Sequence, residues 1–196
     1  MIQPLAALAQ VHTAVVFRDQ APQEAEDGNV RALAIRDLVS SKPLQWHELP
    51  KVGVAEKYHA HCLQPGDVVL PSRGDYYKAC LFTGADLPVL PVGQLNVIRP
   101  MGDCDAGYLV WYLNLKSTQS RLSPLLTGTS IKALTKASLV SLEVEILPLH
   151  EQLRIAELDQ ITKRVVALRH RLTELDEAET SYVTKQLLND GGRRHA

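Results

Sequence analysis

At 196 residues, 45% hydrophobic and 22% charged, with a formal net charge of −1, the chain reads as a soluble globular protein with one good-sized domain and an appendage. No apolar run is long enough to span a bilayer, and the moderately apolar Met1 to Phe17 lacks a basic leader and holds Gln10 and His12, so neither a membrane span nor a signal peptide is expected. Three cysteines, Cys62, Cys80 and Cys104, are odd in number and widely spaced, which argues against a disulfide framework and for a reducing cytoplasm.

Met1 to Ala9 fits a short helix or a strand equally well. Val11 to Phe17 is β-branched and aromatic enough for a strand, and Asp19 to Asn29, with Pro22 and Gly28, reads as an acidic loop. Val30 to Ile35 is a predicted strand followed by a turn near Asp37. Ser40 to Pro50 is loop-like, with Trp46 as its packing anchor, and Lys57 to Cys62 is a candidate strand. A Pro-Gly turn at Pro65 and Gly66 leads into a buried strand at Val68 to Leu70 and a second turn at Pro71 to Gly74. Further strands are predicted at Tyr77 to Thr83, Pro88 to Val92 and Leu95 to Arg99. Ala106 to Leu115 suits an amphipathic helix capped by Asp105. Arg121 to Leu126 continues this helical region or breaks it at Pro124. Leu142, Val144 and Ile146 alternate with Glu143 and Glu145, the pattern of a strand with one wet face.

The C-terminal segment is the most regular part of the chain. From Leu149 to about Asn189 there is neither proline nor glycine, Pro148 and Glu151 supply start signals, and Asn189, Gly191 and Gly192 supply stop signals. Leu158, Ile161, Val165, Leu168, Leu172 and Leu175 recur at steps of 3, 4, 3, 4 and 3, the a/d seam of a heptad repeat. The seam reaches Tyr182 after an interruption at Glu179. At 1.5 Å per residue such a helix is roughly 60 Å long. Either it folds back on its own domain, or it pairs with a partner helix as a dimerisation arm; the second reading suits the heptad. The expected class is α+β: a β-rich domain over residues 1–147, a long coiled-coil helix over 148–190, and a tail over 191–196.

Charge is unevenly spread. Between Ala106 and Leu142 there is no Asp or Glu, yet Lys116, Arg121, Lys132 and Lys136 lie there, a local cationic stretch compatible with phosphate contacts or with an ordinary solvated surface. Catalytic patterns are absent: no phosphate loop, nucleophile elbow or dinucleotide fingerprint occurs. His59 and His61 would share one face of a strand, but no further Cys/His pair stands at zinc-site spacing, so no metal is expected. Asp103 and Asp105 belong to a Gly-rich loop, and Arg73-Gly74-Asp75 is read as coincidence with an adhesion tripeptide. A binding module is favoured over an enzyme.

Three stretches together resemble the specificity (S) subunit of type I restriction-modification systems. Leu63, Gly66, Asp67, Val68, Val69, Arg73 and Gly74 resemble that family's "L-x-x-G-D" strand and loop. Tyr108, Leu109, Leu113 and Asn114 resemble its "Y-L-x-x-x-L-N" helix. Gly128, Thr129, Ile131 and Leu134, then Leu139, Leu142, Val144, Pro148, Glu151, Gln152 and Ile155, resemble its "G-T-x-I" to "P-P-x-x-E-Q-x-x-I" run, followed by a long helix; Leu147 replaces one of the usual paired prolines. Members typically carry two recognition domains and two such helices, so this chain resembles a half S subunit.

The resemblance implies a non-catalytic subunit, without cofactor, that reads a few base pairs of double-stranded DNA. It implies docking to methyltransferase (M) subunits, with a restriction (R) subunit as an optional further partner. It also implies a homodimer through antiparallel long helices, the alternative being pairing with a different half-subunit. The seam residues Leu158 to Tyr182 would form the dimer. The loops that suit base and phosphate contact are Pro71 to Lys78, with Ser72, Arg73, Tyr76, Tyr77 and Lys78, and Asn114 to Arg121, with Lys116, Thr118, Gln119 and Arg121. Thr129 and Lys132 lie in the later turn. For each of these residues alone, a solvated or packed side chain is an equal reading. The competing function is a coiled-coil adaptor that reads no DNA.

Overall fold

The computed structural model describes residues 1–17, 22–40, 44–74, 77–128 and 132–193, with side chains described through residue 186. The chain is α+β, with nine short strands in three small sheets among the described residues. Contacts divide it into two units, Met1–Ala156 and Glu157–Ala196.

The undecided N-terminal stretch becomes both alternatives in turn. β1 (Ile2–Pro4) pairs antiparallel with β9 (Glu143–Glu145), α1 (Leu5–Leu8) follows, and β2 (Ala9–Thr13) continues. In β9 only Val144 of the three residues is buried, as the alternation anticipates. The largest sheet runs in the order β2–β8–β5–β6, where β5 is Val68–Pro71, β6 Cys80–Leu81 and β8 Leu95–Pro100, all antiparallel. A three-stranded sheet places β3 (Val30–Leu33) between β4 (Lys51–Val52) and β7 (Val89–Pro91), with β3 and β7 parallel.

The helices cover one face of the large sheet. α3 (Ala106–Asn114) begins as expected, with the Asp105 carboxylate accepting from the Tyr108 N–H at 2.8 Å. Tyr108, Leu109 and Leu113 pack with Val68, Leu70 and Ile98 of β5 and β8, joined by Leu122, Leu134, Leu139 and Val144. The Tyr108 hydroxyl donates to the Glu145 carbonyl at 2.6 Å, and burial pushes its pKa up to about 12. The opposite face is covered by Leu33, Leu38, Leu63 and Phe82, with Trp46 edge-on to Phe82 at 4.9 Å.

Several local expectations are corrected. The strand at Val30 stops at Leu33, and Ile35–Val39 is a helical turn, α2, because the Asp37 carboxylate accepts from the Ala34 N–H at 2.8 Å. Lys57 to Cys62 is not a strand. Glu56–His61 is a 3₁₀ turn whose backbone groups are satisfied locally, Tyr58 N–H to Ala55 O and Cys62 N–H to His59 O. Residues two apart point in different directions on such a turn, so His59 and His61 share no ligand face. Asn114 to Arg121 is no loop either: α4 (Lys116–Leu122) occupies it, and Pro124 sits in the following 3₁₀ turn. A further helix, α5 (Lys136–Val140), is capped by the Thr135 hydroxyl.

Two ion pairs tie loops to sheets. Asp67, buried after the Pro-Gly turn, receives the Arg99 guanidinium in a bidentate pair at 2.7 and 2.8 Å and also accepts from the Gln64 N–H. The turn itself needs Gly66, whose φ is +95°. Arg31, buried in β3, makes a bidentate pair with Asp86 and donates to the Leu49 carbonyl.

The last helix, α6, runs Leu149–Arg193. Its first turns belong to the first unit. Gln152 is fully buried, and Ala156 stands so close to Gly107 that a Cβ there would lie 2.9 Å from the Ala156 Cβ. The helix does not stop at Asn189 but passes through Gly191 and Gly192; glycine costs about 1 kcal/mol in a helix interior, which weakens a helix without ending it. Among the described residues, no helix is long and apolar enough to cross a membrane.

Two outcomes are expected. Asp67→Asn leaves Arg99 facing a neutral amide; with Arg99 about one-third exposed, chemical denaturation should read a loss of about 2–3 kcal/mol. Hydrogen bonds and charge from Arg31 lower the Asp86 pKa to about 2, so its pair stabilises the fold above the ordinary carboxylate range and is lost as pH falls through about 2. Acid unfolding of Asp86→Asn should lack this contribution, leaving a shallower stability loss between about pH 4 and pH 2 than in the parent chain.

Candidate nucleic-acid interface

The candidate residues come from three places that the fold connects. The first is the loop between β5 and β6, residues 72–79. Ser72 is half-buried, its N–H donating to the Gln94 carbonyl and its carbonyl accepting from the Leu134 N–H. Arg73 is exposed and bridges Ala133 through its backbone, and Lys78 is exposed.

The second place is the turn before α5. Thr127 and Ala133 exchange backbone hydrogen bonds, closing the loop that carries Lys132, whose side chain is exposed. The Arg73–Ala133 bridge therefore sets the first loop beside this one. Asn96, buried in β8, donates to the Leu134 carbonyl at 2.9 Å and anchors the same turn to the sheet.

The third place is the α3–α4 corner. Lys116 is exposed at the start of α4. Asn114 accepts from the Ala79 N–H and donates to the Ala79 carbonyl, both at 2.9 Å. This binds the end of the first loop to the corner. Arg73, Lys78 and Lys132 are thus exposed on loops, and Lys116 at the start of α4, in a region whose α3–α5 sequence contains no acid.

Other expected contact residues are placed differently. Tyr77 is 4% exposed and packs in the core, so it has no face for a ligand. Thr118 is 1% exposed and is likewise excluded by burial. Gln119 is engaged within the protein: its amide donates to the Tyr77 carbonyl at 2.9 Å and the Leu113 carbonyl at 2.7 Å. Arg121 is exposed at its surface, but its guanidinium donates to the Tyr112 hydroxyl at 3.0 Å and the Glu143 carbonyl at 2.7 Å, joining α4 to β9. Tyr76 and Thr129 lie outside the described residues. Sequence patterning does not reveal Asn96 or Asn114 as loop anchors; only Asn114's place in the "L-N" motif marks it.

The second unit presents its own surface. Leu158, Ile161, Val165, Leu168, Leu172, Leu175 and Tyr182 are all exposed along α6. Its polar faces carry helix-stabilising pairs, Lys163 with Asp159 and His170 and Arg171 with Glu174. Among the described residues, no three His, Cys, Asp or Glu side chains gather as a metal site.

Neither a protein-family model nor a curated protein sequence matches the chain. Solved structures do. A chain from a structure concerning complex assembly and conformational transition of the type I R-M system superposes with a TM-score of 0.64 at 21% identity, covering 89% of this chain and 41% of that one. The HsdS subunit from Thermoanaerobacter tengcongensis gives 0.61 at 20% identity, covering 87% and 39%. The type I restriction-modification S subunit from M. genitalium gives 0.54 at 15%, covering 84% and 39%. The chain shares the fold of the matched part of these neighbours, two of which are S subunits, and spans about two-fifths of the length of each.

The site separates structural from free cations. Arg121→Ala should cost about 1 kcal/mol in equilibrium unfolding, because the part-buried Tyr112 hydroxyl and the exposed Glu143 carbonyl lose their link to α4, whereas Lys116→Ala should stay within about 0.5 kcal/mol of the parent.

Proposed function

We propose that this chain is a DNA-specificity subunit, or part of one, of a type I restriction-modification system, reading one half of a split target in duplex DNA. The observation that carries the reading is the S-subunit fold over 84–89% of the chain, with exposed bases gathered on its loops. Ser72, Arg73, Lys78, Lys116 and Lys132 are the contacting set, together with the sequence candidates Tyr76 and Thr129. Lysines and arginines there hold phosphates and set the register; loop side chains that reach the groove edge supply the base readout. The long helix joins two recognition domains at a fixed separation by pairing antiparallel with the helix of a second copy through Leu158, Ile161, Val165, Leu168, Leu172, Leu175 and Tyr182. It also docks methyltransferase subunits, which bring the methyl donor and the chemistry, and a restriction subunit where the system has one. The chain itself catalyses nothing.

A net charge of −1 leaves little long-range attraction for DNA, so the isolated chain should bind weakly and lose affinity steeply with salt. The complex supplies the remaining phosphate neutralisation.

The test is a map of methylated bases in the source strain, expressing the cognate methyltransferase, with and without this gene. A split motif that vanishes on deletion is the expected result. Identical half-sites in inverted repeat support the homodimer; unlike halves point to a second recognition domain from another chain or from a longer form of this one. Restoring the gene with Arg73, Lys116 and Lys132 reversed to Glu should abolish the motif and leave self-association in sedimentation intact, whereas Leu168→Glu with Leu172→Glu should abolish both. A map that deletion leaves unchanged would remove the DNA-reading function and favour the coiled-coil adaptor.

A further inference from the structure

The loop between β5 and β6 ends in a short segment held in an unusual way. Across Tyr77, Lys78 and Ala79 the side chains alternate buried, exposed, buried, the period of extended chain. Among the described residues, no strand pairs with the 77–79 segment on the α3–α4 side. Two side-chain amides stand there instead. Asn114 takes both backbone groups of Ala79, at 2.9 Å each. Gln119 takes both of Tyr77, donating to its carbonyl at 2.9 Å and accepting from its N–H at 3.4 Å, while a second hydrogen bond to the Leu113 carbonyl fixes the Gln119 amide itself. Residues 77 and 79 present their backbone groups to one side, so the two amides reproduce the hydrogen bonds of a missing strand.

We propose that Asn114 and Gln119 are positioning residues that fix the register of this loop and thereby set which DNA sequence the chain accepts, without touching DNA. The proposal rests on the DNA-reading function above. Its physical basis is direction. The buried Tyr77 ring and Ala79 methyl attract the segment to the core, but apolar contact is nondirectional and tolerates sliding. A slip of one residue in extended chain turns every side chain to the other face, which would carry Lys78 inward. The amides oppose that slip because each matches a donor and an acceptor on one particular residue.

The experiment uses Gln119→Met, which keeps roughly the side chain's size but removes both its donor and its acceptor, and the double variant Asn114→Ala with Gln119→Ala. In the purified chain, amide exchange should quicken about tenfold at Tyr77 in both variants and at Ala79 in the double variant, while the β5 and β8 amides keep their protection. Duplex DNA of random sequence should bind within about twofold of the parent, because Arg73, Lys116 and Lys132 remain exposed. In the source strain, the ratio of methylation at the parent motif to methylation at its single-base neighbours should fall at least about tenfold. If the double variant loses protection throughout the sheet, Gln119→Met decides, through exchange at Tyr77.

Unchanged exchange at 77 and 79 would overturn the clamp, and so would faster exchange with unchanged motif discrimination, which would leave the amides a purely structural role. A parent strain with no motif dependent on this gene would overturn the DNA-reading function and the specificity role with it, a result distinguishable from either of the others.

Discussion

The fold depends on satisfying backbone groups where strands are too short to do it. The nine strands have two to six residues each, and the segments between them run through or beside the cores. A buried backbone N–H or carbonyl without a partner costs about 1–3 kcal/mol, so each such segment needs hydrogen bonds from elsewhere. Side chains supply them in one recurring form. Asn29 takes the N–H and carbonyl of Val54, Asn114 those of Ala79, and Gln119 those of Tyr77. Gln152 does more. It accepts from the Asp105 N–H and donates to the carbonyls of Asp103 and Leu147, so one fully buried amide joins the start of α6 to the loop before α3 and to the chain leaving β9.

This constraint explains why the motif residues that resemble S subunits are polar yet sit inside. Asp67 closes the Pro-Gly turn through the Gln64 N–H and pairs with Arg99 on β8; Asn114 holds Ala79; Gln152 holds the α6 start. None is placed to meet a ligand. They build the frame, and the exposed bases are hung from it: Lys78 lies beside Ala79, Lys116 follows Asn114 closely in sequence, and Lys132 lies in the turn that Asn96 anchors. Framework residues and exposed bases are therefore interleaved along the chain at spacings of one or two residues. A composition-level cationic stretch does not distinguish them, as Arg121 illustrates: it lies within the acid-free stretch, but its guanidinium is committed to Tyr112 and Glu143.

The same interleaving sets how much was legible in the sequence. Elements defined by short-range rules were readable: the Asp105 cap, the wet and dry faces of β9, the Trp46 anchor and the long periodic helix. The α+β class followed from them. The local misses have local causes. Asp37 recruits the Ala34 N–H and turns a predicted strand end into α2, and Ala55 and His59 carbonyls close a 3₁₀ turn where β-propensity suggested a strand. Burial of Thr118 and Tyr77 was not legible, because both are residue types equally at home on a surface, and only the three-dimensional meeting of α4 with the β5–β6 loop decides it. The pairing of the 72–74 loop with the Thr127–Ala133 turn is also invisible to periodicity, since it joins segments about sixty residues apart.

The long helix poses a different energetic problem from the domain that precedes it. In the first unit apolar residues have company; from Leu158 onward the seam side chains are 39–64% exposed. Fully burying one Leu, Ile or Val is worth about 1.5–3 kcal/mol, so a seam of six such residues represents a large unmet gain for a helix in water. The polar pairs along its other faces contribute only about 0.2–0.5 kcal/mol each and cannot substitute for it. A straight heptad seam also specifies its partner's shape: steps of 3 and 4 match another helix with the same repeat far better than a flat sheet or a loop. In the pairing proposed above, the interruption at Glu179 would act as a register mark, because an acid at a seam position is tolerated only where the partner offers water or a counter-charge. The charge pattern of the arm therefore bears on alignment, while its apolar pattern bears on whether pairing occurs at all.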